Sequence, residues 1–188
     1  SEVNLILYDI QDIGARFYTY ITTLGLVMEA GAELNIPVLV LDRPNPIRSD
    51  IVEGPILDLK YRSFVGHYPI PTRYGSTIGE LAESIIEHGW IDPIPKLEII
   101  RMEGWQPDAW FDQTDLIWTP PSPNIPDLET AIIYPGMCII EGTNISEGRG
   151  TPKPFKWIGA PWIDGKKLSQ TLNNFRLSGV VFVPKTFT

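Results

Sequence analysis

At 188 residues, the chain is long enough for one domain with a real core, and 43% hydrophobic with 20% charged residues is a globular composition. A formal net charge of -8, from 15 basic and 23 acidic residues, supplies no basic face, so nucleic acid is not an expected partner. A lone cysteine, Cys138, excludes an intrachain disulfide framework and a cysteine-rich zinc site. The two histidines, His67 and His88, lack ligand spacing, so no metal is expected.

In chain order, "VNLILYD" (3–9) is a short apolar run ending in an acid, the pattern of a parallel strand. Residues 17–35 place Phe17, Tyr20, Ile21, Leu24, Val27 and Met28 at three- and four-residue steps, which predicts a helix. "IPVLVLD" (36–42) predicts a second strand, and the three segments make a βαβ unit. In "STIGELAESIIEHGW" (76–90), Thr77 stands three residues before Glu80 as a capping box, and Gly89 closes the helix. "KLEIIRM" (96–102) predicts a third strand. "TAIIYPGMCII" (130–140) reads as a short helix or a strand, broken by Pro135-Gly136. Residues 164–179 predict a last helix closed by Gly179, and 179–184 a last strand. The alternation predicts an α/β fold.

In open α/β sheets, ligands bind beyond the carboxyl ends of the strands. The polar segments "DIQDIGARFYTY", "DRPNPIRSDIVEGP", "PPSPN" and "EGTNISEGRGT" fall largely there, and their prolines hold a loop in one shape. Each acid, amide and arginine has two readings. Asp9 and Asp42 either contact ligand or cap turns and helices. Arg43 is a ligand cation or an ion-pair partner, and Asn124 a ligand contact or a turn residue. Glu53, aimed by its Gly-Pro neighbours in "VEGP", favours chemistry. Glu141, Glu147 and Arg149 form either a pocket wall or a loop-pinning salt-bridge network. The aromatics Tyr18, Tyr20, Trp105, Trp110, Trp118, Trp157 and Trp162 read first as core and only second as sugar platforms. Dinucleotide binding is disfavoured: "DIQDIGAR" has one glycine where G-x-G-x-x-G needs three, and "EGRGT" lacks the ending of a P-loop.

No run of eighteen apolar residues is present, so no membrane span is expected. There is no signal-peptide pattern. The opening without Met and the ending in "GVVFVPKTFT" lead to the expectation of a piece of a larger protein.

Taken together, "DIQDIGARFYTYI", "LDRPNP", "VEGP", "PIPTRYGSTIGELA", "PPSPN", "YPG", "EGTNISEGRGTPKPF" and "GAPW" resemble the NamZ-like exo-β-N-acetylmuramidase family, long catalogued as a domain of unknown function. The resemblance implies a Rossmann-like three-layer fold with a mainly parallel sheet, residues 1–188 forming one subdomain truncated at both ends of a larger two-subdomain protein. It implies removal of terminal N-acetylmuramic acid (MurNAc) from the non-reducing end of peptidoglycan fragments, with no cofactor, a peptidoglycan-derived saccharide as partner, and a secreted or periplasmic location. The rival reading is a non-catalytic cell-wall glycan-binding module. Catalytic candidates are Glu53, Glu141 and Glu147, beside a glutamate in the family's upstream "PEHG" stretch. Substrate-binding candidates are Asp9, Asp12, Arg16, Asp42, Arg43, Asn45, Asn124, Asn144 and Arg149, and the cations considered for the lactyl carboxylate are Arg16, Arg43, Arg73 and Arg149. The chain departs from the family pattern at Tyr74 and Ser76, where His and Met are expected.

Overall fold

The computed structural model describes residues 2–188. The chain groups into two compact units, Ser1–Pro135 and Gly136–Thr188.

The first unit holds β1 (Ile6–Tyr8), α1 (Tyr20–Glu33), β2 (Val38–Leu41), α2 (Ile78–Glu87) and β3 (Leu97–Ile100). The three strands form a parallel sheet in the order β1-β2-β3, with Ile6 opposite Val38 and Val38 opposite Leu97. All three strands and both helices fall inside the ranges the apolar pattern predicts, and the α/β fold is as expected.

Helix spacing decides the core. Ile21, Leu24 and Met28 of α1, and Ile78, Leu81, Ala82 and Ile85 of α2, project from one face of each helix onto Tyr8, Val38 and Val40 of the sheet. Burying a side chain of this size stabilises the fold by roughly 1.5–3 kcal/mol. The predicted capping box at the start of α2 is present: the Glu80 N–H donates to Thr77 Oγ1 at 3.2 Å, and the Thr77 N–H donates to Glu80 Oε2 at 2.8 Å. α2 is capped at His88, one residue before Gly89. The opposite sheet face is open, with Leu7 at 54% and Ile100 at 47% exposure.

α3 spans Leu128–Met137 and continues past Pro135 before tightening into a 3-10 turn at Cys138–Gly142. The proline removes one N–H near the helix end instead of stopping it, so the ambiguous segment is helical.

The second unit is built on the loop that follows this turn and on α4 (Gly165–Asn173). Asp164 caps α4 by accepting the N–H groups of Lys166 at 3.0 Å and Lys167 at 3.1 Å. α4 is shorter than the predicted 164–179, and the strand expected over 179–184 does not form. A strand needs a ladder partner. Here the backbone of Phe182 is bracketed instead by the Asn173 side-chain amide, through two hydrogen bonds of 2.9 Å.

Candidate active site

The loops leaving β1 and β2 lie side by side because the strands are parallel neighbours. Asp9 and Arg43, one residue and two residues past their strands, form an ion pair: Arg43 Nη2 and Nε each reach Asp9 Oδ1 at 2.6 Å. Both side chains are more than one-third exposed, so the pair contributes at most about 1 kcal/mol.

Asp12 is buried, and its Oδ2 accepts the Gly14 N–H at 2.7 Å and the Tyr74 hydroxyl. Among the described residues, none makes a hydrogen bond of ordinary geometry to the buried Oδ1. Burial pushes the Asp12 carboxyl up to about 6, against the opposing pull of the Tyr74, Gly14 and Ile13 hydrogen bonds. Gly14 has φ +78, and a Cβ there would stand 2.3 Å from Asn45 Oδ1, so only glycine fits this turn.

Arg16 and Asn45 tie the loops together from inside. Arg16 Nη1 donates to the carbonyls of Pro55 at 2.7 Å and Ile70 at 2.5 Å, and its guanidinium lies 5.2 Å from the Phe17 ring centre. Burial pulls the Arg16 guanidinium below its ordinary value. Asn45 Nδ2 donates to the Ser76 carbonyl at 3.0 Å, while Oδ1 accepts the Ile47 N–H at 3.1 Å. Gln11, which the sequence does not single out, adds bonds from Nε2 to the carbonyls of Asp12 at 2.7 Å and Pro44 at 2.9 Å.

Glu53 is an exposed acid of this knot. Its N–H donates to the Arg73 carbonyl at 3.1 Å and its carbonyl accepts the Arg73 N–H at 2.9 Å, an antiparallel bridge that fixes the backbone. Arg73 Nη1 then donates to Glu53 Oε2 at 2.8 Å. The guanidinium side chain is 12% exposed and the glutamate 65%. Arg73 Nη2 donates to the Ile47 carbonyl, and Trp110 lies 5.8 Å from the guanidinium carbon.

Asp42 serves α2. Its Oδ1 accepts the Gly79 N–H at 2.8 Å and its Oδ2 the Thr77 hydroxyl at 2.9 Å. Of its two sequence readings, helix capping is the one the geometry expresses. Burial raises its carboxyl, opposed by those same bonds. Asn124 is half-buried in a turn closed by the Ile125 N–H on the Ser122 carbonyl at 3.0 Å, and its own N–H reaches the Ser122 hydroxyl at 3.3 Å. Asx-turn chemistry at Asn124 is thus replaced by serine.

In the second unit, Arg149 Nη2 donates to Glu141 Oε1 at 2.6 Å and Nε to Glu147 Oε1 at 3.1 Å. The guanidinium also lies 5.3 Å from the ring centre of buried Phe155. Partial burial pulls Arg149 down, and the two glutamates more than offset it, so its net shift is upward. The Phe155 N–H donates to the Glu147 carbonyl at 2.6 Å, and a Cβ on Gly148, at φ +80, would meet the Trp157 carbonyl oxygen at 2.4 Å. The salt-bridge network read from the sequence is therefore present, while Asn144 stays exposed beside it.

Sequence reasoning named Arg73 only among the cations, and treated Tyr74 only as a departure. The signal for both was the dense "PIPTRYGST" punctuation, which marks a strapped loop.

Comparison with known proteins bears on this arrangement. The profile described as "Exo-beta-N-acetylmuramidase NamZ, N-terminal" matches residues 1–129, and "Exo-beta-N-acetylmuramidase NamZ, C-terminal" matches 132–188. The chain is 50% identical over its full length to "Peptidoglycan beta-N-acetylmuramidase NamZ" of Bacillus subtilis (strain 168), and spans 45% of that relative. Two DUF1343 family proteins of Bacteroides fragilis NCTC 9343, known from crystal structures, have similar folds. One has a TM-score of 0.89 and 41% identity over 95% of this chain and 47% of its own. The other has a TM-score of 0.79 and 40% identity, over 86% and 45%. By profile match and identity, the chain belongs to the NamZ exo-β-N-acetylmuramidase family.

Proposed function

We propose that the full-length protein is an exo-β-N-acetylmuramidase that removes terminal MurNAc from the non-reducing end of peptidoglycan fragments. The observation that carries the reading is Glu53, an exposed carboxylate on a backbone bridged to Arg73, within a chain half identical to a peptidoglycan β-N-acetylmuramidase. Glycoside hydrolysis of the usual kind uses two carboxyl groups: one protonates the leaving oxygen, the other activates water or attacks the sugar, and their separation sets the stereochemical outcome. Glu53 is one member. The family resemblance supplies the other as the glutamate of the "PEHG" stretch, outside these 188 residues, so the 188-residue chain alone is expected to be inactive. Glu141 and Glu147, both engaged by Arg149, are the alternatives.

A peptidoglycan substrate lies outside the cytoplasmic membrane, which supports a secreted or periplasmic location; cell fractionation tests it. Among the described residues no helix is long and apolar enough to cross a membrane.

The deciding experiment incubates the full-length protein with a chromogenic MurNAc β-glycoside. Release that falls about 10²–10⁴-fold in Glu53→Gln supports the reading. No release at any pH points to the glycan-binding module instead, and release by the isolated 188 residues places both acids within them.

A further inference from the structure

The geometry points to Arg73 as the positioning residue of the Glu53 carboxylate. This rests on the reading of Glu53 as a catalytic carboxyl and deepens it.

An ordinary surface ion pair joins two loose side chains and orients neither. Here the partners differ. The Arg73 side chain is 12% exposed, and its guanidinium is anchored at Nη2 by the Ile47 carbonyl and flanked by Trp110 at 5.8 Å. The Glu53 side chain is 65% exposed. The two backbone bonds between residues 53 and 73 already fix the Glu53 Cα, so the Nη1 contact at 2.8 Å restrains what the backbone leaves loose, the side-chain torsions. A buried fork therefore holds an exposed working group by one oxygen. Catalytic groups must be held within about 0.5 Å, and misplacement by about 1 Å costs on the order of a hundredfold in rate. Lysine carries the charge without the planar fork, so it cannot bond Ile47 and Glu53 with the same geometry.

The test uses the full-length protein and a chromogenic MurNAc β-glycoside, with Arg73→Gln, Arg73→Lys, Glu53→Gln and the Arg73→Gln/Glu53→Gln double variant. The expected result is a kcat roughly ten- to a hundredfold lower in Arg73→Gln with KM within about twofold, partial recovery in Arg73→Lys, and a double variant no slower than Glu53→Gln. Arg73→Gln melting at lower temperature with wild-type kcat overturns the proposal, as do losses that multiply in the double variant. If Arg73→Gln does not fold, Arg73→Lys carries the comparison, and an unchanged kcat there overturns it. Loss of rate in Glu53→Gln alone sinks Arg73's role and leaves the catalytic reading standing. Wild-type rate in Glu53→Gln sinks both.

Discussion

The hydroxyl of Tyr74 donates its hydrogen bond to the carboxylate of Asp12, and both side chains lie in the interior of the first unit. This bond gives residue 74, where the chain departs from the family pattern, an internal partner. The Tyr74 side chain is 7% exposed and turned onto an internal carboxyl, where it braces the loop scaffold.

Asp12 makes stability depend on pH. Its folded-state value, about 6, lies above the ordinary 3.8, so between these values the folded protein holds a proton that the unfolded chain has lost. The contribution is full below about 4 and disappears as pH rises through about 6, a change of about 3 kcal/mol for a shift of this size. Urea melts at pH 4, 5, 6 and 7 are expected to show this fall in wild type relative to Asp12→Asn. Parallel curves for the two proteins would refute it.

Tyr74→Phe removes a bond that favours the charged form of Asp12. The same melts should show the loss of stability displaced to higher pH, on top of a loss of about 1–3 kcal/mol for the missing hydrogen bond, with Oδ2 still held by the Gly14 N–H. An unmoved pH window would mean that the phenol is not what holds Asp12 down.

At α2, Thr77 Oγ1 both donates to Asp42 and accepts from Glu80. Thr77→Ala is expected to cost about 1 kcal/mol, and up to 2, by denaturant melting, with Thr77→Ser close to wild type. Asp42→Ala shares the bond, so the double variant should lose less than the sum of the two singles.

Arg149 is held by Glu141, Glu147 and the Phe155 ring, contacts that support a scaffold role in its loop. Arg149→Lys should lower stability by on the order of 1 kcal/mol or less, since the pairs are partly exposed. It should also speed proteolysis within residues 141–155 and, on the proposed function, leave the full-length protein's discrimination between MurNAc and N-acetylglucosamine glycosides unchanged. A reduced preference with an unchanged melting temperature would make Arg149 a substrate contact instead.

What was legible in the sequence was periodic or local. Ile21, Leu24 and Met28 announce a buried helical face, and Thr77 with Glu80 announces a cap, because each pattern is written within a few residues. The strand at 179–184 failed for the complementary reason: apolar content does not state whether a ladder partner exists, and Asn173 took the Phe182 backbone. The same limit applied at the site. Glu53 and Arg73 are twenty positions apart, and Asp12 and Tyr74 sixty-two, so nothing local records that they meet. Their residue types were visible, and their pairing was a property of the fold.

The open face of the sheet has a practical consequence. Val3, Leu5 and Leu7 are 49–54% exposed at alternate positions leading into β1, with Ile100 at 47% at the end of β3. A parallel sheet is normally covered on both faces, and exposed apolar side chains such as these are sticky. The 188-residue chain purified alone should therefore bind hydrophobic dyes while still cooperatively folded and self-associate as concentration rises. Polar replacement of Leu5 and Leu7 should relieve both without moving its melting transition far. Dye fluorescence from this chain thus reports a bare surface, and should not be read as a molten state.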